Sequence, residues 1–144
     1  MRRFLFDTAV FVYALGVEHR YREPCRAILR EVQGGRVAAE ASIELIHEFA
    51  YVHLRRAKDR ADVVSAARTI ARILSLHTVE PRDMERALDL WSEHKQLDVR
   101  DSIFAAQALN RGIEAILSPD RDFDGIPGLQ RIDPADVEAV ATLR

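Results

Sequence analysis

The sequence lacks the features that mark secreted and membrane proteins. Its single cysteine, Cys25, has no partner for an internal disulfide, as expected of a chain kept in a reducing compartment. Apolar runs are much shorter than the roughly 20 residues that span a bilayer. Residues 1–6 have the basic and apolar character of a signal peptide, but Asp7 interrupts that run and no small-residue cleavage site follows. These absences predict a cytoplasmic protein with no membrane segment.

An excess of positive charge is also missing. The chain has 21 Lys and Arg against 23 Asp and Glu, a formal net charge of −2. A polyanionic partner would therefore require a local basic patch. The candidates are the run 55–60 and the group of Arg20, Arg22 and Arg26, although such runs are also typical of solvated helix ends.

No internal repeat, low-complexity tract or interdomain linker divides the sequence. Its 48% hydrophobic and 31% charged residues are ordinary for a folded protein and argue against disorder. A chain of 144 residues is long enough to bury one proper hydrophobic core. We therefore predict that residues 1–144 form a single domain.

The apolar pattern predicts short strands that alternate with helices. Predicted strands cover residues 4–6, 36–40, 77–80, 114–118 and 129–132. Predicted helices cover residues 9–15, 22–32, about 43–56 after an N-cap at Ser42, 62–74, a helix that begins at Pro81, 98–110, and a terminal helix from Pro134. The helix at Pro81 is expected to carry Ala87, Leu88 and Trp91 inward. This alternation implies an α/β fold with a parallel sheet covered on both faces.

Asp7 is the one acidic residue in the apolar opening of the chain, and it follows the first predicted strand. Ligand sites of open α/β sheets form in the crevice beyond the carboxyl ends of the strands. We therefore expect Asp7 to lie in that crevice. Three further carboxylates are expected to converge on it and hold a divalent metal.

Two helical carboxylates fall towards the buried side of their helices. Glu48 lies at the edge of an apolar stripe, whereas Glu44 lies further towards solvent. Asp101 shares a face with the apolar residues three, four and seven positions later. The alternative for Glu48 is a boundary residue with its head in water. The alternative for Asp101 is a first-turn acid in a helix capped by Asp98.

Asp120 and Asp122 follow the strand predicted at 114–118, again at a carboxyl end. We favour Asp120 because it is nearer to the strand, and whether Asp122 replaces or assists it stays open. Turn formation is the alternative role for acidic loop residues, and it is the favoured role of Asp124, which precedes Gly125.

A crevice that gathers several carboxylates requires protonation or a cation. Two carboxylates about 4 Å apart repel by roughly 4 kcal/mol at an effective dielectric constant of 20. Ligands that are all oxygen suit Mg²⁺ or Mn²⁺. The five histidines are scattered along the chain, so a zinc site is not expected.

Four segments form a set that extends over nearly the whole chain. They are Asp7–Ala14, Ser42–Phe49, Asp101–Ala106 and Leu117–Phe123. In this order and spacing they resemble the PIN-domain ribonucleases, specifically the VapC-like toxins of type II toxin–antitoxin pairs. Ser118 keeps the hydroxyl of a position where the family usually has Thr. Ala9 departs from the family's usual Asn or Ser, which removes a supporting hydrogen bond near Asp7.

The resemblance implies a three-layer α/β/α sandwich with a mainly parallel sheet. It implies Mg²⁺- or Mn²⁺-dependent hydrolysis of RNA to products with 5′-phosphate and 3′-hydroxyl ends, frequent homodimers, and a small antitoxin that blocks the site. The implied metal ligands are Asp7, Asp101 and Asp120, and Glu48 completes the catalytic quartet.

Other function classes fit only parts of the sequence. An aspartyl-phosphate phosphatase that used Asp7 as its nucleophile would need a second Asp where this chain has Ala9. A receiver-type phosphoacceptor would need a late Lys paired with its acceptor. A PIN-like module that binds RNA or a protein without cleavage is the main alternative, and the intact acidic quartet disfavours it. Cys25 and Trp91 are expected to serve packing rather than chemistry.

Overall fold

The structure is a computed structural model that describes residues 1–57 and 59–144. Its strands are β1 (Leu5–Phe6), β2 (Glu40–Ser42), β3 (Ser75–His77), β4 (Ala115–Leu117) and β5 (Gln130–Ile132). Its α-helices are α1 (Thr8–Ala14), α2 (Arg22–Gln33), α3 (Ile43–Ala57), α4 (Arg60–Ile73), α5 (Pro81–Glu93), α6 (Val99–Asn110) and α7 (Val137–Ala141), and Arg121–Phe123 forms a 3₁₀ turn. Within these described residues, no helix is both long and apolar enough to cross a membrane.

The five strands form one parallel sheet in the order β3-β2-β1-β4-β5. The chain moves outward from β1 to β3 and then returns across the sheet to β4. Right-handed crossovers in opposite directions place their helices on opposite faces. The contacts agree, since α1 packs against α2 and α3, α3 against α4, and α5 against α6. The expected three-layer α/β/α sandwich is confirmed.

Strand β1 lies at the centre of the sheet and of the hydrophobic core. Phe4, Leu5 and Phe6 are fully buried. The ring of Phe6 lies 5.0 Å from that of Phe4 and 5.2 Å from that of Phe11, measured between centroids. Burying each such side chain contributes about 1.5–3 kcal/mol. The residue that follows β1, Asp7, is thus held at a rigid position on the carboxyl edge of the sheet.

Local chemistry explains two helix boundaries. Ser42 Oγ accepts a hydrogen bond of 3.1 Å from the backbone N–H of Glu44, which confirms Ser42 as the N-cap of α3. Gly112 follows the end of α6 with φ of 66°, a left-handed conformation that favours glycine.

Two predicted strands lie at the wrong residues. β2 covers Glu40–Ser42 rather than 36–40, and β3 covers Ser75–His77 rather than 77–80. The register explains both shifts, because Glu40 pairs with Leu5 on one side and with Ser75 on the other. The last residue of the strand predicted at 77–80 belongs to the start of α5 instead, since the Glu80 N–H donates to Asp83 Oδ2.

The predicted inward face of α5 is only partly right. Ala87 is buried, but Leu88 is 46% exposed and Trp91 is 50% exposed, so the expectation that these two pack inward is wrong. The helix instead buries Asp83, which binds the Arg111 guanidinium with N–O distances of 2.9 and 3.1 Å. A buried and paired carboxylate turns the helix away from the orientation that its apolar residues alone favour.

Candidate active site

The site is founded on two neighbouring strand ends. Asp7 follows β1 and Ser118 follows β4, and these strands pair in parallel, so both residues emerge at the same edge. The Asp7 backbone N–H donates to the carbonyl of Leu117 at 3.0 Å. The buried Ser118 hydroxyl donates to Asp7 Oδ2 at 2.5 Å. The hydroxyl thereby fixes the orientation of the Asp7 carboxylate.

The loop after β4 supplies the next two carboxylates. Ser118 Oγ accepts a hydrogen bond of 2.9 Å from the Asp120 N–H, and Asp120 Oδ1 accepts one of 2.9 Å from the Asp122 N–H. Arg131, on β5, donates from Nη1 to the Ser118 carbonyl at 3.1 Å and from Nε to Asp124 Oδ1 at 2.8 Å. This loop is therefore closed against the sheet by hydrogen bonds at both of its ends.

The first turn of α6 supplies Asp101. Asp98 caps the helix, since its Oδ1 accepts a hydrogen bond of 2.7 Å from the Asp101 N–H. Asp101 itself is buried, with 8% of its surface exposed. Asp98 therefore caps α6 while Asp101 is a buried carboxylate, so the two roles are compatible.

These elements bring the carboxylates into one hollow. Oxygen atoms of Asp101, Asp120 and Asp122 lie within 4.8 Å of one another, an arrangement that can hold a metal ion. Asp7 and Glu48 are outside that closest set, but each interacts electrostatically with Asp101. Asp101, Asp120 and Asp122 thus form one close cluster, and Asp7 and Glu48 lie near enough to act on it electrostatically.

The pKa values of the carboxylates reflect their burial and their mutual repulsion. The pKa of Asp7 is raised to about 7, mainly by burial; the Ser118 hydrogen bond opposes this rise, and the charges of Glu48 and Asp120 add to it. Burial raises the pKa of Asp101 to about 8, with Asp7 as the strongest repulsive neighbour. Without a cation, these carboxylates are costly to ionise together.

Glu48 enters the hollow from α3. Burial raises its pKa, and the guanidinium of Arg100, with Nη1 at 3.8 Å from Oε2, lowers it. Oε2 is buried and has no hydrogen-bond partner among the residues that the structure describes. A buried carboxylate oxygen without a hydrogen bond is the kind of atom that a bound ion or its water satisfies.

The donor set fits a divalent cation. Every group that can act as a ligand in the closest set is a carboxylate oxygen, which suits a hard ion such as Mg²⁺ or Mn²⁺. A dication would remove the repulsion that raises the pKa values of Asp7 and Asp101. Glu48 Oε2, which is paired with Arg100 but accepts no hydrogen bond among the described residues, gives a second indication that an ion or its water binds here.

Sequence reasoning missed two arginines of the site. Arg100 pairs with Glu48, and Arg131 ties the loop after β4 to the sheet. Neither stands in a pattern that marks a role, because both act through partners that are remote in sequence. The predicted basic run 55–60 contains Lys58, which lies outside the described residues, while Arg55 and Arg56 end α3 as exposed side chains.

Sequence comparison identifies relatives along almost the full length. The PIN domain family model matches residues 4–129. Ribonuclease VapC7 of Mycobacterium tuberculosis is 32% identical over 142 residues, which cover 96% of this chain and 97% of that protein. Ribonuclease VapC23 of the same species is 36% identical over 115 residues, covering 76% of this chain and 86% of that protein.

Solved structures share the fold at lower identity. Mycobacterium tuberculosis VapC20 superposes with a TM-score of 0.70 at 14% identity, over 88% of this chain and 98% of that one. VapBC2 of Rickettsia felis, crystallised with a promoter DNA fragment, gives 0.70 at 16% identity, over 90% and 97%. At such identities the superpositions establish the fold, and the sequence matches establish the family. The chain belongs to the PIN-domain family, and within it to the VapC-type ribonucleases.

Proposed function

We propose that the protein hydrolyses RNA phosphodiester bonds with Mg²⁺ or Mn²⁺ as its cofactor, as the toxin of a toxin–antitoxin pair. The observation that carries this proposal is the convergence of three carboxylates within 4.8 Å, in a chain related to VapC ribonucleases over 96% of its length. A second copy of the chain and a small antitoxin protein are its proposed protein partners.

Asp7, Asp101 and Asp120 are the proposed ligands of the ion, and Asp122 lies close enough to assist. A divalent cation at this position supplies an activated water and neutralises charge that develops on the phosphate. Glu48 is proposed to orient the attacking water, because its Oε2, although paired with Arg100, accepts no hydrogen bond from the described residues. The expected products carry 5′-phosphate and 3′-hydroxyl ends.

Ser118 has a supporting role in this proposal. Its hydroxyl donates to Asp7 Oδ2, which stabilises the ionised carboxylate and leaves the other carboxylate oxygen for a ligand. The same hydroxyl accepts from the Asp120 N–H, so one side chain sets the positions of two acidic residues. This arrangement supports the proposed ligands without the family's usual Asn or Ser at Ala9.

The antitoxin partner is proposed because several solved structures with this fold are toxin–antitoxin complexes. Structures that superpose on this chain include a toxin–antitoxin complex from Klebsiella pneumoniae, with a TM-score of 0.67 at 20% identity over 92% of this chain. A DNA-bound VapBC complex from Salmonella typhimurium gives 0.69 at 17% identity. Co-purification with the product of a short neighbouring reading frame, and relief of growth arrest by it, would test this part.

Cleavage of a labelled oligoribonucleotide tests the enzymatic proposal. The wild type should cleave it with Mg²⁺ or Mn²⁺ and stop when EDTA is added. Asp101→Asn should abolish cleavage, whereas Asp89→Asn, which changes an exposed carboxylate on α5, should leave it intact. Binding of RNA with no metal-dependent cleavage would instead favour the binding-module alternative.

A further inference from the structure

A cleft of about 350 Å³ has Glu48, one of the carboxylates of the candidate site, in its lining. Its walls come from α3 and α6. The remaining lining residues are Glu44, His47, Tyr51 and Arg100. Because Glu48 belongs to both the hollow and the cleft, an occupant of the cleft would adjoin the proposed site of phosphodiester cleavage.

Tyr51 is the aromatic residue of this cleft. It follows Glu48 by three positions on α3, which places both side chains on the same helix face. Its surface is 54% exposed, so core packing does not account for it. The Arg55 guanidinium lies 5.7 Å from the centre of the ring, within the range of a cation–π contact. The contact with Arg55 therefore restrains the Tyr51 ring, while much of the ring faces solvent.

Guanidinium groups near the cleft can contact the phosphates that the acidic hollow repels. Carboxylates repel a polyanion, and the chain as a whole has a net charge of −2. Arg100 lines the cleft with a side chain that is 55% exposed, although it also pairs with Glu48. Arg55, outside the lining, adds a second guanidinium against the Tyr51 ring. The other acidic residue of the cleft, Glu44, lies 3.4 Å from His47. An exposed aromatic ring with guanidinium groups near it is a combination that binds single-stranded nucleic acid, through base stacking and phosphate contacts.

We propose that this cleft is a nucleotide subsite, in which a base of the RNA substrate stacks on Tyr51 and Arg100 contacts an adjacent phosphate. The proposal rests on the proposed ribonuclease function and adds to it a position where the strand is held beside the scissile bond. Stacking tolerates every base, so the subsite favours unpaired RNA over duplex RNA without strong sequence preference.

Steady-state cleavage of a single-stranded oligoribonucleotide tests the stacking. Tyr51→Ala should raise KM about 5- to 150-fold, the range for loss of one base–aromatic stack, with a smaller effect on kcat. Tyr51→Phe should keep the wild-type KM, because the ring is retained. Trp91→Ala is the matched control, since it removes a ring that is 50% exposed on α5. An unchanged KM in Tyr51→Ala overturns the proposal.

Arg100 is tested by the salt dependence of KM. Arg100→Gln should reduce the slope of log KM against log salt by about 1, as expected for loss of one phosphate contact. Arg86→Gln, at an exposed position of α5 that is not part of the cleft lining, should leave that slope unchanged. Equal slopes in the wild type and in Arg100→Gln would remove Arg100 from the subsite.

A binding arm keeps the subsite testable if the wild type fails to cleave RNA. Trp91 is the only tryptophan, so Tyr51→Trp combined with Trp91→Phe places a single fluorophore in the cleft. An oligoribonucleotide should quench its emission, and an abasic oligomer of equal length should not. Equal quenching by the oligoribonucleotide and the abasic oligomer would show that the cleft does not stack bases. The same conclusion would follow if Tyr51→Ala changed the oligomeric state but not the binding of RNA.

Discussion

Replacing Asp101 by Asn should make the cation-free protein more stable at neutral and alkaline pH, although it removes a proposed metal ligand. Asn is nearly isosteric with the protonated carboxyl, so the buried position stays filled. The substitution removes the cost of ionising Asp101. Burial and the charge of Asp7 raise the pKa of this carboxyl to about 8. The substitution therefore separates the stability of the fold from the demands of the site.

The size of the effect follows from proton linkage. An Asp in an unfolded chain titrates near pH 3.9, so between about pH 4 and pH 8 the folded state holds a proton that the unfolded state has released. Stability must then fall as pH rises, by about 1.4 kcal/mol for each pH unit in that window if the site titrates alone. Asp7, whose pKa is raised to about 7, holds a second proton in the folded state and adds to this loss in the wild type, and the share of Asp101 is the part that Asp101→Asn removes.

Urea unfolding in EDTA at a series of pH values between about 5 and 8 measures this loss. The wild type should lose stability steadily over the series, and Asp101→Asn should lose less, with the remaining loss due to Asp7. Addition of Mg²⁺ or Mn²⁺ at pH 8 should then restore the wild type, because an ion that binds only the folded state stabilises it. The variant should gain little from either ion.

Two results would refute this reasoning. A variant with the same pH slope as the wild type would show that Asp101 is not a strained carboxylate in the cation-free fold. A variant that gains as much stability from the ion as the wild type would show that Asp101 is not a ligand. Asp89→Asn, at an exposed position, should match the wild type in both measurements.

Three further outcomes are expected elsewhere in the chain. Arg111→Ala should lower the free energy of unfolding by about 3–5 kcal/mol, measured in urea, because it leaves the buried Asp83 carboxylate without its ion-pair partner. Burial raises the pKa of Asp83, but hydrogen bonds from Arg111 and Asn110 lower it to about 2. Ser118→Ala should move the acidic limb of the pH–rate profile to higher pH, since the hydroxyl lowers the pKa of Asp7, and Ser118→Thr should restore it. Phe104→Ala should cost about 3–5 kcal/mol by the same unfolding assay.

The convergence of remote carboxylates was predictable because the sheet imposes it. Parallel strands present their carboxyl ends at one edge, so residues that follow β1 and β4 must meet there. Asp7 and Asp120 needed only the identification of those two strands. Asp101 needed the helical period, which places it on the same face as Phe104, and both are buried.

The orientation of α5 was not predictable in the same way. Asp83 is fully buried because Arg111, at the end of α6, binds it through two N–H groups. That partner is 28 residues away, and no periodicity within α5 shows it. Hydrophobic patterning assigns Leu88 and Trp91 to the core and Asp83 to the surface, the reverse of what the long-range pair imposes.

The contributions of Arg100 and Arg131 escaped sequence reasoning for a related reason. Arg100 matters through its distance to Glu48, and Arg131 through hydrogen bonds to a backbone carbonyl and to Asp124. Such roles depend on where partners lie in space rather than on residue type. An arginine beside an acidic site is also indistinguishable in sequence from an ordinary surface charge.

The balance of charge in the hollow argues against a protein that only binds RNA. Buried carboxylates that repel one another destabilise the cation-free fold, and burial together with this repulsion raises the pKa values of Asp7 and Asp101. The same negative charges repel the phosphates of the substrate. A module that binds without cleaving would gain both stability and affinity if the hollow were neutral. A divalent cation reverses both penalties at once, which is why the acidic hollow is better explained by metal-dependent hydrolysis than by binding alone.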